Sequence, residues 1–147
     1  MLAIRVAQQN DKQAWIQLYK KYLKFYKTSL SNEQLLTLWG WFFNESQKIH
    51  CHVASLEDNI VGLVHFREFL RPIKASVGIF MDDLFVEPSY RGRGIAQKLI
   101  LSVEHFATQQ NISVVRWITA ADNHGAMKVY AKLATKTQWI TYDMVIS

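Results

Sequence analysis

Arg91-Gly92-Arg93-Gly94-Ile95-Ala96 is the stretch of sequence that decides the fold. It lies between an apolar, strand-like run, Ile79 to Val86, and a helical pattern that begins at about Gly94 and continues to Gln109. Glycine lets the backbone turn sharply, and a helix that begins at such a turn presents unpaired N–H groups and the positive end of its dipole. The arginines add forked donors that suit phosphate. The stretch therefore predicts a pyrophosphate-binding loop for a nucleotide-bearing cofactor or substrate, although Arg-Gly-Arg-Gly taken alone is more often a solvated turn.

The composition indicates one globular domain with an anionic partner. The chain has 147 residues, half of them apolar, and 17 Lys and Arg against 12 Asp and Glu give a formal charge of +5. This length supports a single packed core, so we expect one domain over residues 1–147. The basic balance suits an anionic ligand and also nucleic acid. Because no DNA- or RNA-binding motif is present, nucleic acid is not an expected partner.

Cysteine content and hydropathy predict a cytoplasmic protein. The lone Cys51 has no thiol partner for a disulfide or a metal site, which is typical of a reducing compartment. The five histidines show no metal-ligand spacing, and we interpret them as surface or satisfied core groups. No stretch reaches membrane-spanning length, and the N-terminal region lacks a long apolar block. We therefore expect no metal and no membrane partner.

Periodicity predicts an α+β fold in the order strand, helix, helix, three strands, helix, strand, helix, strand. The first strand is Leu2 to Val6, and capping boxes at Asn10/Gln13 and Ser31/Gln34 begin the first two helices. The later predicted elements are strands over 50–56, 60–69 and 75–86, a helix over 94–109, a strand over 113–119, a helix near Met127 to Ala134 and a strand over 139–145. The crossover helix makes the strands over 75–86 and 113–119 parallel, in a mixed, mostly antiparallel central sheet flanked by helices.

Two spaced motifs and the order of elements resemble the GNAT superfamily of acetyl-CoA-dependent N-acetyltransferases. The first motif of that family is Arg or Gln, two residues, Gly, one residue, then Gly or Ala, and it is matched by Arg91, Gly94 and Ala96. The second places an Asn after the next strand and a Tyr on the following helix, and it is matched by Asn123, Ala126 and Tyr130. The resemblance covers essentially the whole chain, with its specific residues between Asp82 and Leu133.

The resemblance implies that acetyl-CoA is the co-substrate and implies how it binds. Backbone N–H groups of 92–97 would bind the pyrophosphate, with added charge from Arg91 and Arg93. The backbone of 84–86 would pair with the pantetheine arm as an extra strand, and Asn123 would bond the far side of that arm. The full predicted cofactor-binding set is Leu84, Phe85, Val86, Arg91, Gly92, Arg93, Gly94, Ile95, Ala96, Gln97, Asn123, Ala126 and Tyr130.

The resemblance also implies direct attack of a primary amine on the thioester. Tyr130 would protonate the departing thiolate as a general acid, although a tyrosine at this spacing can also be a core residue. Relatives that acetylate polyamines carry carboxylates at this point, and we favour Asp82 over Asp83 as the base or amine-binding group. In a regular strand only one of the two faces the cleft, and a bulge would change which one. A strand-end cap, or an ion pair with an arginine, explains the two aspartates equally well.

The acceptor that we expect is a small amine, such as a polyamine or an amino acid. The alternatives are an amine of a protein or peptide, or a non-catalytic acyl-CoA-binding module. The first two predicted helices hold more aromatic rings than a core needs, and the resemblance places these helices beside the acceptor cleft. We expect most of these rings to pack in the core and some to line the cleft. Many members of the family form dimers, so a homodimer is a further alternative for the oligomeric state of this protein.

Overall fold

Five strands and four helices follow one another along the chain. The structure, a computed structural model, describes residues 1–147. The helices are α1 (Lys12–Phe25), α2 (Asn32–Trp41), α3 (Ile95–Gln109) and α4 (His124–Leu133). The strands are β1 (Leu2–Val6), β2 (Ile49–Leu56), β3 (Asn59–Arg71), β4 (Ser76–Val86) and β5 (Val115–Arg116). None of the helices is long and apolar enough to cross a membrane.

The five strands form one sheet in the order β1-β2-β3-β4-β5. The first four strands pair antiparallel with their neighbours, and β5 pairs parallel with β4 because α3 carries the chain back along the sheet. The turn between β2 and β3 has φ angles of 50° at Glu57 and 63° at Asp58, the left-handed backbone of a tight hairpin. The predicted mixed, mostly antiparallel sheet is therefore confirmed, with β5 shorter than the predicted 113–119.

Helices cover both faces of the sheet. The ring of His65 on β3 lies 5.8 Å from that of Trp15 on α1, whereas the ring of the next residue, Phe66, lies 5.2 Å from that of Phe106 on α3. Successive residues of a strand face opposite ways, so α1 and α3 lie on opposite faces. Phe66 is fully buried, and burial of such a side chain contributes about 1.5–3 kcal/mol to stability.

A side-chain capping box begins α2 as predicted, whereas no side-chain hydrogen bond caps α1. Ser31 and Gln34 cap each other's backbone N–H at the start of α2, at 3.1 and 2.8 Å, which confirms that capping box. The prediction that Asn10 caps α1 is wrong, because α1 begins only at Lys12. The Asp11 carboxylate, held by Arg5 at 2.7 Å, accepts the Gln8 N–H at 2.7 Å instead. A charged carboxylate is a stronger acceptor than the amide oxygen of Asn10, so the Asp11 side chain accepts the hydrogen bond at this turn.

Internal contacts divide the chain into a larger unit, Met1–Trp117, and a smaller unit, Ile118–Ser147. The larger unit holds the sheet with α1, α2 and α3, and the smaller one holds α4. The predicted final strand over 139–145 is wrong, since residues 134–147 form neither helix nor strand. Trp139 and Tyr142, 86% and 89% exposed, give this segment β-propensity, but a strand also needs a partner for its backbone groups and the smaller unit holds no strand.

Candidate active site

The loop between β4 and α3 turns at two glycines. Gly92 and Gly94 have φ angles of 80° and 78°, in the left-handed region that costs other residues about 1–2 kcal/mol. A Cβ atom at either position would meet nothing within 4 Å, so the backbone conformation and not the available space requires glycine here. Gly94 is also the N-cap of α3, so the helix begins directly from the turn.

Six successive backbone N–H groups, those of residues 92–97, donate no hydrogen bond within the chain. The flanking N–H groups do: that of Arg91 donates to the Pro88 carbonyl at 3.3 Å, and that of Lys98 donates to the Gly94 carbonyl at 3.1 Å. Unpaired N–H groups at the positive end of a helix dipole attract an anion. The loop residues that the sequence assigns to pyrophosphate binding therefore share one donor-rich helix start.

Aromatic rings hold the two arginines of this loop. The Nε of Arg91 donates to the Val86 carbonyl at 3.1 Å, and its guanidinium lies 5.4 Å from the centre of the Phe85 ring. The guanidinium of Arg93 lies 5.0 Å from the centre of the Tyr90 ring. Arg91 therefore fastens the loop to the end of β4 in addition to supplying positive charge.

The outer edge of β4 is open beyond Phe80. β5 pairs with β4 only at Ile79 and Phe80, whereas β3 pairs with β4 as far as Val86. Within residues 1–117, no strand lies beside 82–86 on the side away from β3. An open strand edge binds an extended chain through its backbone N–H and C=O groups. Leu84, Phe85 and Val86, the residues predicted to pair with a pantetheine arm, lie on this edge.

A β-bulge turns both aspartates of β4 to the same face of the sheet. Asp83 lies opposite His65, and the register then shifts by one residue, which leaves Asp82 as the extra residue of the bulge. Asp83 contacts His65 and Asp82 contacts Arg67, and positions two apart on β3 share a face. The two carboxylates therefore lie side by side, an arrangement that a regular strand does not allow.

Asp83 accepts hydrogen bonds from one histidine and two tyrosines. The Nδ1 of His65 lies 2.7 Å and the hydroxyl of Tyr19 lies 3.1 Å from Oδ2 of Asp83, and the Tyr22 hydroxyl stabilises the same carboxylate. No Lys or Arg nitrogen lies within 4 Å of it. Burial raises the pKa of Asp83, but its interactions with His65, followed by the hydrogen bonds from Tyr22 and Tyr19, outweigh burial and hold the pKa below its ordinary value. Asp83 is therefore a largely buried carboxylate that one imidazole and two phenol hydroxyls contact, with no Lys or Arg within 4 Å, and this environment suits a cation.

Asp82 forms an ion pair with Arg67. The Nε of Arg67 lies 3.1 and 3.0 Å from the two carboxylate oxygens, and the side chains of Arg67 and Asp82 are 46% and 29% exposed. Partial burial raises the pKa of Asp82 above its ordinary value, although Arg67 acts in the opposite direction. The ion-pair alternative is therefore confirmed for Asp82. Of the two neighbouring carboxylates, Asp82 takes up a proton more readily and Asp83 stays ionised.

Aromatic rings of α1 surround the Asp83 carboxylate. The ring of Tyr19 stacks against those of Trp15 and Tyr22, with centroids 5.3 and 5.4 Å apart. Burial, followed by the charge of Asp83, raises the pKa of both tyrosine hydroxyls, so they remain protonated donors. Trp15 packs in the core, as we expect for most of these rings, whereas Tyr19 and Tyr22 also bond to the candidate site.

No spacing in the sequence identifies His65 as part of this site. It is 1% exposed and hydrogen-bonded at both ring nitrogens, which confirms the interpretation of a satisfied core histidine. Its partners Trp15 and Asp83 lie 50 and 18 residues away along the chain, so only the strand register and the packing of α1 bring them together. No group of three or more His, Cys, Asp and Glu side chains is placed to hold a metal ion.

The second spaced motif lies on α4, in the smaller unit. Asn123 is the N-cap of α4, and Ala126 and Tyr130 follow within the helix. Positions three, four and seven residues apart lie on one face of a helix, so these three residues share a face of α4. The predicted fourth helix is therefore confirmed, with bounds three residues earlier at its start and one earlier at its end.

Comparison with known proteins identifies a family for most of the chain. The model of the acetyltransferase (GNAT) family matches residues 13–134, a range that includes the glycine loop and α4. The D-amino-acid N-acetyltransferase HPA3 of Saccharomyces cerevisiae is 28% identical over 143 residues, which cover 96% of this chain and 89% of that protein. The thialysine N-epsilon-acetyltransferase of Mus musculus is 25% identical over 143 residues, which cover 90% of this chain and 83% of that protein.

A solved structure shows the same fold. The crystal structure of the ribosomal-protein-alanine N-acetyltransferase from Brucella melitensis biovar Abortus 2308 superimposes with a TM-score of 0.84 over 99% of both chains. Its sequence is 19% identical, so the likeness concerns the fold. The predicted acetyltransferase fold is confirmed by this likeness.

Proposed function

The chain belongs to the GNAT family of acetyltransferases and is an acyltransferase, and we propose that it transfers the acetyl group of acetyl-CoA to a primary amine of a small molecule such as an amino acid or a polyamine. The observation that carries this proposal is Asp83, a largely buried carboxylate with a lowered pKa, aromatic neighbours and no Lys or Arg within 4 Å. Two relatives that match nearly the whole chain are named for the acetylation of a D-amino acid and of thialysine, which are small amines.

Both units of the chain contribute to this function as one N-acetyltransferase domain over residues 1–147. The family match supports this proposal, because it runs from residue 13 to residue 134 and crosses the boundary after Trp117. A cytoplasmic location and a homodimer stay predictions.

The described loop and strand edge fit acetyl-CoA. The unpaired N–H groups of 92–97 suit the pyrophosphate, the edge at 84–86 suits the amides of the pantetheine arm, and Arg91 and Arg93 add positive charge. Asn123 and Ala126 would bind the cofactor from α4, as the family motif implies. When bound, acetyl-CoA supplies a thioester whose carbonyl carbon is the electrophile.

Three side chains divide the work of the reaction. Asp83 binds and orients the acceptor, which arrives as an ammonium ion and loses one proton to solvent before it attacks, because only the neutral amine has the lone pair that forms the new bond. Asp82, whose pKa is raised, accepts the proton that the amine nitrogen loses as it forms the new N–C bond. Tyr130 holds the proton that the sulfur takes when the C–S bond breaks.

Release of free thiol from acetyl-CoA tests the proposal. A thiol-reactive chromophore reports turnover with a polyamine, D- and L-amino acids, an aminoglycoside and a basic peptide, each against a blank without acceptor. We expect turnover with small amines and none with the peptide. Turnover with the peptide alone would establish a protein substrate, and saturable acetyl-CoA binding without turnover on any acceptor would establish an acyl-CoA-binding module.

A further inference from the structure

The imidazole of His65 is held in one neutral tautomer. The indole nitrogen of Trp15 lies 2.9 Å from Nε2 of His65, and an indole N–H can only donate. Nε2 must therefore carry a lone pair, so the ring proton lies on Nδ1, which donates to Asp83 at 2.7 Å. The hydrogen bonds run in one direction, from Trp15 through His65 to Asp83.

Packing keeps this chain of hydrogen bonds in place. Trp15 is 0% and His65 is 1% exposed. The Trp15 ring lies 5.3 Å from that of Tyr19 and 5.0 Å from that of Trp39, and the His65 ring lies 4.8 Å from that of Phe42. A flip of the imidazole would break both of its hydrogen bonds and leave a buried donor without a partner. The tautomer is therefore a fixed property of the folded core.

The hydrogen bonds also join three elements at the β4 bulge. Trp15 comes from α1, His65 from β3, and Asp83 from the bulged part of β4. A bulge disrupts the regular ladder, so side-chain bonds have a larger part in setting the direction of the Asp83 carboxylate. The charged and titratable groups around His65 and Asp83 come from α1, β2, β3 and β4. They are the hydroxyls of Tyr19 and Tyr22, the buried thiol of Cys51 opposite His65, and the Arg67–Asp82 pair, while α2 contributes the Phe42 ring.

We propose that His65 is a positioning residue for acetyl transfer: locked by Trp15 as the Nδ1–H tautomer, it fixes the Asp83 carboxylate toward the acceptor without neutralising the carboxylate charge. This inference rests on the proposed function, in which Asp83 binds the ammonium group of the acceptor. An imidazolium at the same place would be a second cation beside the carboxylate and would compete with the substrate. The neutral donor orients Asp83 and leaves its charge for the acceptor.

The first test reads the tautomer directly and needs no substrate. Nitrogen-15 NMR of the full chain labelled at histidine, recorded at about pH 7, distinguishes the two neutral tautomers from the imidazolium. The His65→Gln spectrum assigns the signals, and the exposed His105 and His124 provide references in the same spectrum. We expect His65 to be the Nδ1–H tautomer. An imidazolium or an Nε2–H tautomer at His65 would overturn the proposal.

Two variants that both carry a side-chain amide, His65→Asn and His65→Gln, test the two hydrogen bonds of His65 separately. His65→Asn places an amide N–H near the position of Nδ1, which keeps a donor for Asp83. His65→Gln places an amide oxygen near the position of Nε2, which keeps an acceptor for Trp15 but removes the donor to Asp83. We expect the KM for the acceptor to rise about tenfold or more in His65→Gln and about two- to threefold in His65→Asn, with the KM for acetyl-CoA unchanged in both.

A purely structural role predicts a different pattern. Equal effects of the two variants on the acceptor KM, or parallel effects on the KM for acetyl-CoA, would overturn the positioning role of His65. Asp83→Asn distinguishes this failure from failure of the proposed function. If Asp83→Asn leaves the acceptor KM unchanged, the proposed function of Asp83 is wrong; if Asp83→Asn raises it and His65→Gln does not, only the positioning role is wrong.

Discussion

The aspartate bulge lies within β4 and the glycine loop follows the end of that strand, but the two regions are built from different kinds of chemical group. The loop offers backbone N–H groups from the contiguous residues 92–97, whereas the site at the bulge is made of side chains from α1, β3 and β4. Backbone groups are the same for every residue type, so the loop depends mainly on Gly92 and Gly94. The bulge depends on the identity of each side chain, and under the proposed function it is the region that determines the acceptor.

Tyr130→Phe is the substitution with the largest expected effect, and it tests a residue identified from a motif. Loss of a general acid lowers kcat about 10²- to 10⁴-fold, and the KM for acetyl-CoA should change little. Tyr142→Phe is the matched control, since Tyr142 is 89% exposed in the same unit. A kcat for Tyr130→Phe equal to that of Tyr142→Phe would remove Tyr130 from the mechanism.

Asp83→Asn and Asp82→Asn test whether the two carboxylates differ in role. If Asp83 binds the ammonium group as proposed, loss of its charge should raise the acceptor KM about 100-fold, as expected for a hydrogen bond between charged groups. Asp82→Asn should lower kcat and change the acceptor KM less, since Asp82 is paired with Arg67. Steady-state kinetics with the acceptor varied at saturating acetyl-CoA measures both constants. Identical kinetic defects in the two variants would contradict the division of roles.

Gly94→Ala tests the backbone basis of the loop. The φ angle of 78° at Gly94 costs alanine about 1–2 kcal/mol, so the KM for acetyl-CoA should rise about five- to thirtyfold while the acceptor KM stays constant. The same substitution at Gly40, in α2 with nothing within 4 Å of a Cβ atom, is the control. Gly40→Ala should leave the kinetics unchanged and raise stability by about 0.5–1 kcal/mol. Equal kinetics for the two variants would contradict this account of the loop.

The smallest expected effect concerns the pH dependence of stability. The pKa of Asp83 is lowered by folding, so its contribution to stability is present above the unfolded-state pKa and is lost as the pH falls through the folded-state pKa. The pKa of Asp82 is raised by folding, so its contribution to the pH dependence of stability has the opposite sign. Through Asp82, the folded state gains stability relative to the unfolded state as the pH falls.

Between about pH 5 and pH 3, the Tm of Asp83→Asn should therefore fall less than that of the unmodified protein, and the Tm of Asp82→Asn should fall more. Thermal unfolding followed by circular dichroism at several pH values measures these slopes. If both substitutions changed the slope of Tm against pH in the same direction, the two carboxylates would have similar environments, and the opposite pKa shifts would be contradicted.

Most elements of the fold are predictable because their signals are local. The alternation of apolar residues over Leu2–Val6 predicts a strand, and the capping box at Ser31 predicts a helix start. Each signal depends on neighbouring residues, and the structure confirms the strand and the cap. The predicted strand over 139–145 depends on a partner that propensity does not supply, and no strand forms there. Asn10 is not the cap of α1 because Arg5 holds Asp11 in place, and periodicity does not show that contact.

The candidate site is predictable only where its residues are contiguous or regularly spaced. Asp82 and Asp83 are visible in the sequence, but the bulge that places them on one face depends on the register of β3 against β4. His65 stands 18 residues before Asp83, and only that register identifies it as a partner. The spacing of Asn123 and Tyr130 is visible, and its role in catalysis stays a prediction.

A crystal structure of the protein with coenzyme A and an accepted amine measures both regions at once. We predict that the pyrophosphate oxygens lie within about 3 Å of the N–H groups of 92–97 and that an acceptor nitrogen lies within about 3 Å of a carboxylate oxygen of Asp83. A pyrophosphate away from this loop, or an acceptor nitrogen with no contact to Asp83, would contradict the assignment of the cofactor to the loop and of the acceptor to the bulge.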